Sequence, residues 1–435
     1  MTITTAVNTN PLAKRIVSSM SWTLLGTFIA RGLSLIALIF VARLLGVEEF
    51  GKFSILQSTI IMIGTFSGMG IGMTATKFVA EYRHSDSERA GRVIALCEVI
   101  NFITGLIFSL VVFFLSPYLA NHVLGDQSLE ILLQISSVYL FFITLDSAQN
   151  GTIAGLEAFK PRAITQIITS IFFVIAILYF TFKWGITGSI IALIIQGFLN
   201  CLFNFFIIKV WSEKKGLKIT FKGIQKEVKV LLKFAIPVFL SSLFIIPVEW
   251  GLNAILVNGE NGYVETGYIN ATKQWFIIIT IIPLALANIT LPILSNLNGN
   301  KENHKYRNVV ISNTFLMTFI GLFISLPIFI FSDFFISFYG NDFIEASFVL
   351  KLTCVYATLF CLNIIMGQII WTNGMAKTGM VLSAFRSLLL VIAFLLFFDN
   401  TAIGLIWSQI TSYVILSIVQ IVIAVKVLQK LNKGK

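Results

Sequence analysis

An ionisable side chain inside a long apolar stretch is costly unless it meets water or a partner, so each one present is a candidate for chemistry. Four such residues mark this sequence: Arg31, Asp146, Glu249 and Lys273. Arg31 lies about eleven residues, or ~16 Å, from the inner end of its stretch. Thr23, Thr27 and Ser34 share its helical stripe, giving an apolar segment one polar face. Lys273 lies in the outer part of its stretch near Asn270, and Arg43 marks the outer end of the stretch that holds Arg31. Three cations with no acid beside them in sequence suit a diphosphate, because arginine offers a fork of donors and lysine a mobile point charge. The competing readings are that Arg31 pairs with an acid and that Lys273 snorkels to the outer surface.

The two acids invite a different chemistry. Asp146 is followed by Gln149 and Asn150, which at i+3 and i+4 lie on its helical face. Glu249 shares a stripe with Ser242 and Asn253. Carboxylates in such places carry a proton or bind Na⁺ and so couple transport to an ion gradient, or they are counter-ions of Arg31 and Lys273. Arg31, Lys273 and Arg43 are therefore the substrate-binding candidates, and Asp146, Asn150 and Glu249 the ion-coupling candidates. No metal site or cofactor is expected: Cys97, Cys201, Cys354 and Cys361 fall in apolar stretches, and His84, His122 and His304 lie in separate loops.

The elements that must position these residues are membrane helices. Of 435 residues, 57% are apolar and only 12% charged, and the mean hydropathy is +0.90. A soluble protein with one core lacks the polar surface to cover that inventory. Twelve stretches of spanning length run at about 20–43, 53–78, 94–116, 131–155, 163–182, 185–208, 234–256, 268–296, 309–337, 348–371, 379–398 and 402–425. The first is too long for a signal-peptide core and is expected to stay as a helix. With the N-terminus inside, twenty-five lysines and arginines, Arg386 among them, fall on the inner side; Arg43, Lys52, Lys183 and Lys351 fall on the outer. That bias places both termini in the cytoplasm. The net charge of +11 is thus topological, and no nucleic-acid partner is implied.

A faint duplication divides the chain. Gly46, Glu49 and Gly51 align with Gly262, Glu265 and Gly267, and Gly125, Leu129 and Glu130 with Gly340, Ile344 and Glu345, at offsets of 216 and 215. Arg89 aligns with Arg307 and Lys160 with Lys377 at 218 and 217. The expected fold is all-α: twelve transmembrane helices in two six-helix bundles related by a parallel pseudo-two-fold, with both termini inside. The lobes are 1–208 and 234–435. Between them, 209–233 carries eight lysines, and its Ile224, Val228 and Leu231 at helical spacing predict an amphipathic helix on the anionic inner leaflet. Pro237, Pro247, Pro283 and Pro292 predict a helix pair that bends during transport.

The stretch Ala42-Arg43-Leu44-Leu45-Gly46-Val47-Glu48-Glu49-Phe50-Gly51 resembles the outer-loop signature of polysaccharide (O-antigen type) flippases of the multidrug/oligosaccharidyl-lipid/polysaccharide exporter superfamily, with Val47 where that family usually has proline. Thr76-Lys77-Phe78-Val79-Ala80-Glu81-Tyr82-Arg83, with Asp86 and Arg89 following, is similar to its first inner loop, and Gly155-Leu156-Glu157-Ala158-Phe159-Lys160 and Gly267-Tyr268-Ile269-Asn270-Ala271-Thr272-Lys273 match two further patterns. The resemblance implies a non-enzymatic flippase in the bacterial cytoplasmic membrane. Its cargo would be a polyprenyl (undecaprenyl) diphosphate-linked oligosaccharide, its surroundings membrane lipids, and its neighbours a polysaccharide polymerase or assembly proteins. A drug/cation antiporter of the same superfamily is the nearest rival. A membrane polymerase or glycosyltransferase is the rival of another class, although the short outer loops leave little room for a catalytic face.

Overall fold

The computed structural model describes residues 11–242, 244–300 and 302–433. Lys301 and Lys435, and the side chains of Lys14, Arg15, Pro237, Ser242, Lys430 and Lys433, lie outside the described residues. The apolar stretches form α1 (Pro11–Leu45), α2 (Val47–Gly68), α3 (Ile71–Tyr82), α4 (Ser87–Tyr118), α5 (Leu129–Gly155), α6 (Phe159–Lys214), α7 (Gln225–Ser242), α8 (Ile246–Val257), α9 (Gly262–Gly299), α10 (Asn303–Ile330), α11 (Ser332–Ser337), α12 (Ala346–Thr372), α13 (Ala376–Leu396) and α14 (Ala402–Lys433), with no strand among the described residues. This is the all-helical membrane architecture that the composition demands, since only a helix bonds every backbone group within its own segment.

Among the described residues nine helices are long and apolar enough to cross a membrane, and the pair α2 and α3, bent by 45°, makes a tenth. The bend falls at Met69 and Gly70, both with positive φ. The count differs from the twelve stretches of the sequence at two places. The first is α6, 56 residues long, whose backbone leaves the helical region at Trp184 and at Gly185 (φ 56°, ψ −134°). If α6 were straight, Arg162 and Asn204 would stand ~60 Å apart at 1.5 Å per residue. Instead Arg162 Nη1 donates to Asn204 Oδ1 at 2.9 Å, and Thr181 meets Ser189 hydroxyl to hydroxyl at 2.8 Å. The helix therefore doubles back at Gly185 as two antiparallel passes. The second place is the seventh stretch, shared between α7 and α8. Pro283 and Pro292 lie inside α9, which continues through both.

The helices group into two compact units: Ile55–Ile246 with the chain up to Leu44, and Leu45–Ser54 with the chain from Pro247. In the first unit Ile71, Phe78, Tyr82, Leu96, Ile208 and Leu217 form a buried cluster joined by Leu231, with Ile224 and Val228 packed against it. The apolar stripe around the start of α7 thus faces protein. In the second unit Leu294, Tyr306, Met317, Ile365 and Ile369 form a buried cluster.

The two units repeat specific contacts. Gly105 on α4 lies against Thr144 on α5, and Gly321 on α10 against Cys361 on α12. Arg83 Nη1 caps the end of α5 by donating to the Gly155 carbonyl at 2.7 Å, and Asn298 Nδ2 caps α12 by donating to the Thr372 carbonyl at 2.8 Å. Each residue and its counterpart are 215 to 217 positions apart, which is the offset read in the sequence. Within the second unit the start of α2 crosses the start of α9 at Gly51 and Gly267. A Cβ on Gly51 would overlap the Tyr263 carbonyl, and one on Gly267 the Val47 carbonyl. Beside them Phe50 is fully buried, 5.8 Å from the Phe343 ring.

No side chain larger than hydrogen fits this crossing without moving a backbone. Gly51→Ala should cost about 2 kcal/mol, within the usual range for overpacking, and lower the thermal midpoint in detergent. Gly32→Ala, in a helical position with nothing within 4 Å of the added carbon, should be neutral or stabilising by about 0.5 kcal/mol. Equal midpoints for the two variants would refute the crossing.

Candidate functional site

In the first unit the polar centre is built on Asp146. Asp146 and Asn150 lie one turn apart on α5, and Asn150 Nδ2 donates to Asp146 Oδ2 at 2.7 Å. The reversal of α6 at Gly185 brings Asn204 and Arg162 to the same level. Asn204 Nδ2 donates to Asp146 Oδ1 at 2.8 Å, and Arg162 Nη2 stands 3.7 Å from the same oxygen. Asp146 thus has two amide donors and one guanidinium, and its partner is Arg162, not Arg31. Arg162 is not among the site candidates read from the sequence, since a residue 16 positions away in another helix gives no local signal of contact.

In the second unit Glu249 on α8 meets Arg386 on α13, Nη2 to Oε1, at 3.2 Å. The Arg386 side chain is 5% exposed and Glu249 39%. The guanidinium lies 4.8 Å from the centre of the Tyr413 ring on α14, a cation–π contact. Asn253 donates to the Glu249 backbone carbonyl at 2.8 Å, so it shares the stripe without binding the carboxylate. Two corrections to the sequence reading follow. Arg386 leaves the inner-loop tally, because it lies at the middle of α13 and is buried. And the ionisable residues inside spans are more than four, since Arg386 and Glu98 on α4 belong with them. Both were visible as charges in apolar stretches.

The three cationic candidates stand differently. Arg31 is exposed on α1, with Thr27 and Ser34 half-buried, and makes no ion pair with the described residues. Arg43 is exposed about three turns further along α1. Lys273 is exposed on α9, and the nearby Asn270 is engaged with Ser54 and Gln274. Arg31 and Arg43 lie in the first unit and Lys273 in the second. Among the described residues, no group of three or more histidine, cysteine, aspartate or glutamate side chains is placed to hold a metal.

The motifs that carry the family resemblance do structural work. Asp86 caps α4 by accepting from the Arg89 N–H at 2.9 Å, and Arg83 pairs with Glu157 while capping α5. Arg89 and Arg92 close on the buried Glu227 of α7 at 2.9 and 3.4 Å. The Arg89 guanidinium also lies 4.1 Å from the centre of the Tyr82 ring.

Breaking a largely buried ion pair from one side strands the other charge. Arg162→Met should therefore destabilise the protein by about 3 kcal/mol, and the double variant Asp146→Asn/Arg162→Met by clearly less. Denaturant or thermal unfolding in detergent reads both. A double variant as damaged as the single one would mean that Arg162 does not neutralise Asp146.

Comparison with known proteins agrees with this architecture. The family described as "Polysaccharide biosynthesis protein" matches residues 16–298. The chain is 23% identical over 417 residues to the EPS I polysaccharide export inner membrane protein EpsE of Ralstonia solanacearum, covering 92% of each. It is 22% identical over 279 residues to stage V sporulation protein B of Bacillus subtilis (strain 168), covering 61% of this chain and 52% of that protein. Among solved structures, the inward-facing conformation of a multidrug resistance MATE family transporter of the MOP superfamily superimposes with a TM-score of 0.79 at 15% identity, over 94% of this chain and 99% of that one. At that identity the likeness shows the fold alone.

Proposed function

The chain belongs to the polysaccharide biosynthesis protein family, and from that membership we propose that it is a flippase. It carries a polyprenyl diphosphate-linked oligosaccharide from the inner to the outer leaflet of a bacterial cytoplasmic membrane. The observation that carries the reading is a charge imbalance. Asp146 and Glu249 are each matched by an arginine of their own unit, whereas Arg31 and Lys273 are exposed cations with no carboxylate partner among the described residues. What remains for cargo is positive. An anionic diphosphate head suits that remainder, and a cationic drug does not. A sugar-diphosphate head cannot cross hydrocarbon unaided, while its polyprenyl tail stays in lipid, so the protein needs only a wet cationic passage open to the bilayer. The inner-membrane polysaccharide export protein it resembles along nearly its whole length supports this class of cargo.

In this reading the chain crosses the membrane twelve times with both termini inside, its lobes at 1–208 and 234–435 joined by the basic segment 209–233. It works by alternating access, helped by bending around the prolines of the seventh and eighth spans. Arg31, with Lys273 and Arg43, receives the diphosphate. Asp146 with Asn150, and Glu249, couple the cycle to an ion gradient. A polysaccharide polymerase or assembly protein takes up the product at the outer leaflet.

In proteoliposomes Arg31→Ala should insert and fold yet lose at least about tenfold of its flipping rate, the factor corresponding to 1.4 kcal/mol in a barrier; wild-type flipping would remove the diphosphate assignment. In the same assay Asp146→Asn and Glu249→Gln should alter the dependence on ΔpH or Na⁺, and no change in either would leave both as structural acids. Cysteine labels at residues 220 and 342 should react from opposite faces of the membrane. Reaction of both from one face would overturn the orientation.

A further inference from the structure

The first unit holds a second group of polar residues beside Asp146, and its hydrogen bonding does not close. Glu98 and Asn101 lie one turn apart on α4, and Gln149 lies one turn from Asp146 on α5. The two helices are held together at this level: Asn101 Nδ2 donates to the Thr144 carbonyl at 2.7 Å, and Gly105 admits the Thr144 side chain. Gln149 is 5% exposed and its amide reaches the Glu98 carboxyl. Yet Glu98 Oε1 and Gln149 Oε1 are both buried with no donor, as is Asn101 Oδ1. A buried acceptor without a donor costs about 1–3 kcal/mol, and more when it belongs to a charged group. Buried polar groups in native proteins are otherwise nearly always partnered.

One proton answers two of these oxygens. A carboxylate and an amide that meet have three acceptor oxygens and only the amide's donors between them. A protonated carboxyl adds the missing donor: it accepts from the Gln149 N–H and gives its O–H to the Gln149 carbonyl, so acid and amide close as a mutual pair. No cation offers an alternative, since Glu98 makes no ion pair among the described residues. The charged and titratable groups around it are engaged elsewhere. On α5, Asp146 is matched by Arg162 of α6. Cys97 on α4 and Cys201 on α6 are buried thiols, and Cys201 donates to the Phe142 carbonyl at 3.2 Å. On α3, Lys77 lies over the Phe234 ring and Tyr82 under Arg89, and Glu227 on α7 is held by Arg89 and Arg92.

We propose that Glu98 is a proton-binding site, holding its proton as a neutral carboxylic acid bonded to the Gln149 amide. This deepens the ion-coupled reading of the first unit and rests on it for its use in transport, although not for the binding of the proton itself. It places two carboxyls in one polar core, Asp146 charged and compensated by Arg162, Glu98 neutral. Gln149, the amide partner of Glu98, stands at i+3 from Asp146, one turn away on α5. A proton leaving Glu98 would create an unmatched charge in that core, which is the kind of event that shifts a two-state helix bundle.

The test is infrared difference spectroscopy on the full-length protein in lipid nanodiscs. Near neutral pH the wild type should show the carbonyl stretch of a protonated carboxylic acid, absent in Glu98→Gln, which keeps the size and hydrogen-bonding reach of the side chain. Gln149→Met should keep the band but shift it to higher frequency, as expected for a carboxyl that has lost its amide partner. A wild type without the band, or a band that survives Glu98→Gln unchanged, overturns the proposal. Loss of the wild-type band on adding NaCl at constant pH would assign the oxygens to Na⁺ and overturn it equally. Transport is measured separately: a proteoliposome flux indifferent to ΔpH in Asp146→Asn and wild type alike would remove coupling while the band still decides the proton.

Discussion

Charge inside an apolar helix bundle has to be neutralised close by, and this constraint organises both units. The cost of a bare ion at low dielectric is several kcal/mol even after relaxation. Two in-span acids are therefore placed against a cation from another helix: Asp146 against Arg162, with Asn204 of α6 and Asn150 of its own helix as further donors, and Glu249 against Arg386. The positions of α5, of the folded-back α6 and of α8 against α13 are coupled to these pairs. Against that compensated background the uncompensated residues are informative, with Arg31 and Lys273 as positive charge and Glu98 as an acid that closes its bonds by keeping a proton.

The sequence motifs that resemble a family turn out to act mechanically. Arg83, Asp86 and Glu157 cap or staple the start of α4 and the end of α5, and Arg89 with Glu227 ties α4 to α7. Gly51 and Phe50 set a backbone crossing and a buried aromatic contact. Such residues are fixed by geometry that any cargo would share. That is why the motifs speak for a fold and a family, whereas the choice of cargo has to be argued from the isolated charges.

Duplication explains the scaffold but not the site. The Gly105–Thr144 and Gly321–Cys361 contacts, and the caps at Gly155 and Thr372, are the same device used twice. The charges are not repeated. The position equivalent to Asp146 in the second unit, 217 residues on, is Asn363, which donates to Ser417 at 2.7 Å. The second unit instead carries its ion pair at Glu249 and Arg386. The two units thus share packing contacts and differ in electrostatics.

Much of this protein was legible from residue types alone. Apolar stretches long enough to span, turn glycines and a lysine-rich middle segment prescribe an all-helical membrane fold, because backbone groups in lipid have no other partner. The repeat offset was readable because helix crossings need small residues at fixed places. Asp146 with Asn150 was readable too, since i and i+4 share a helical face. Tertiary structure decided everything that depends on which helices are neighbours. It decided that α6 folds back at Gly185 and so delivers Arg162 and Asn204 to Asp146. It took Arg386 out of an inner loop and buried it beside Glu249, and it brought Glu98 against Gln149. Local sequence encodes the face a residue occupies on its own helix; the partner comes from a helix tens of residues away, and only packing brings the two within bonding distance.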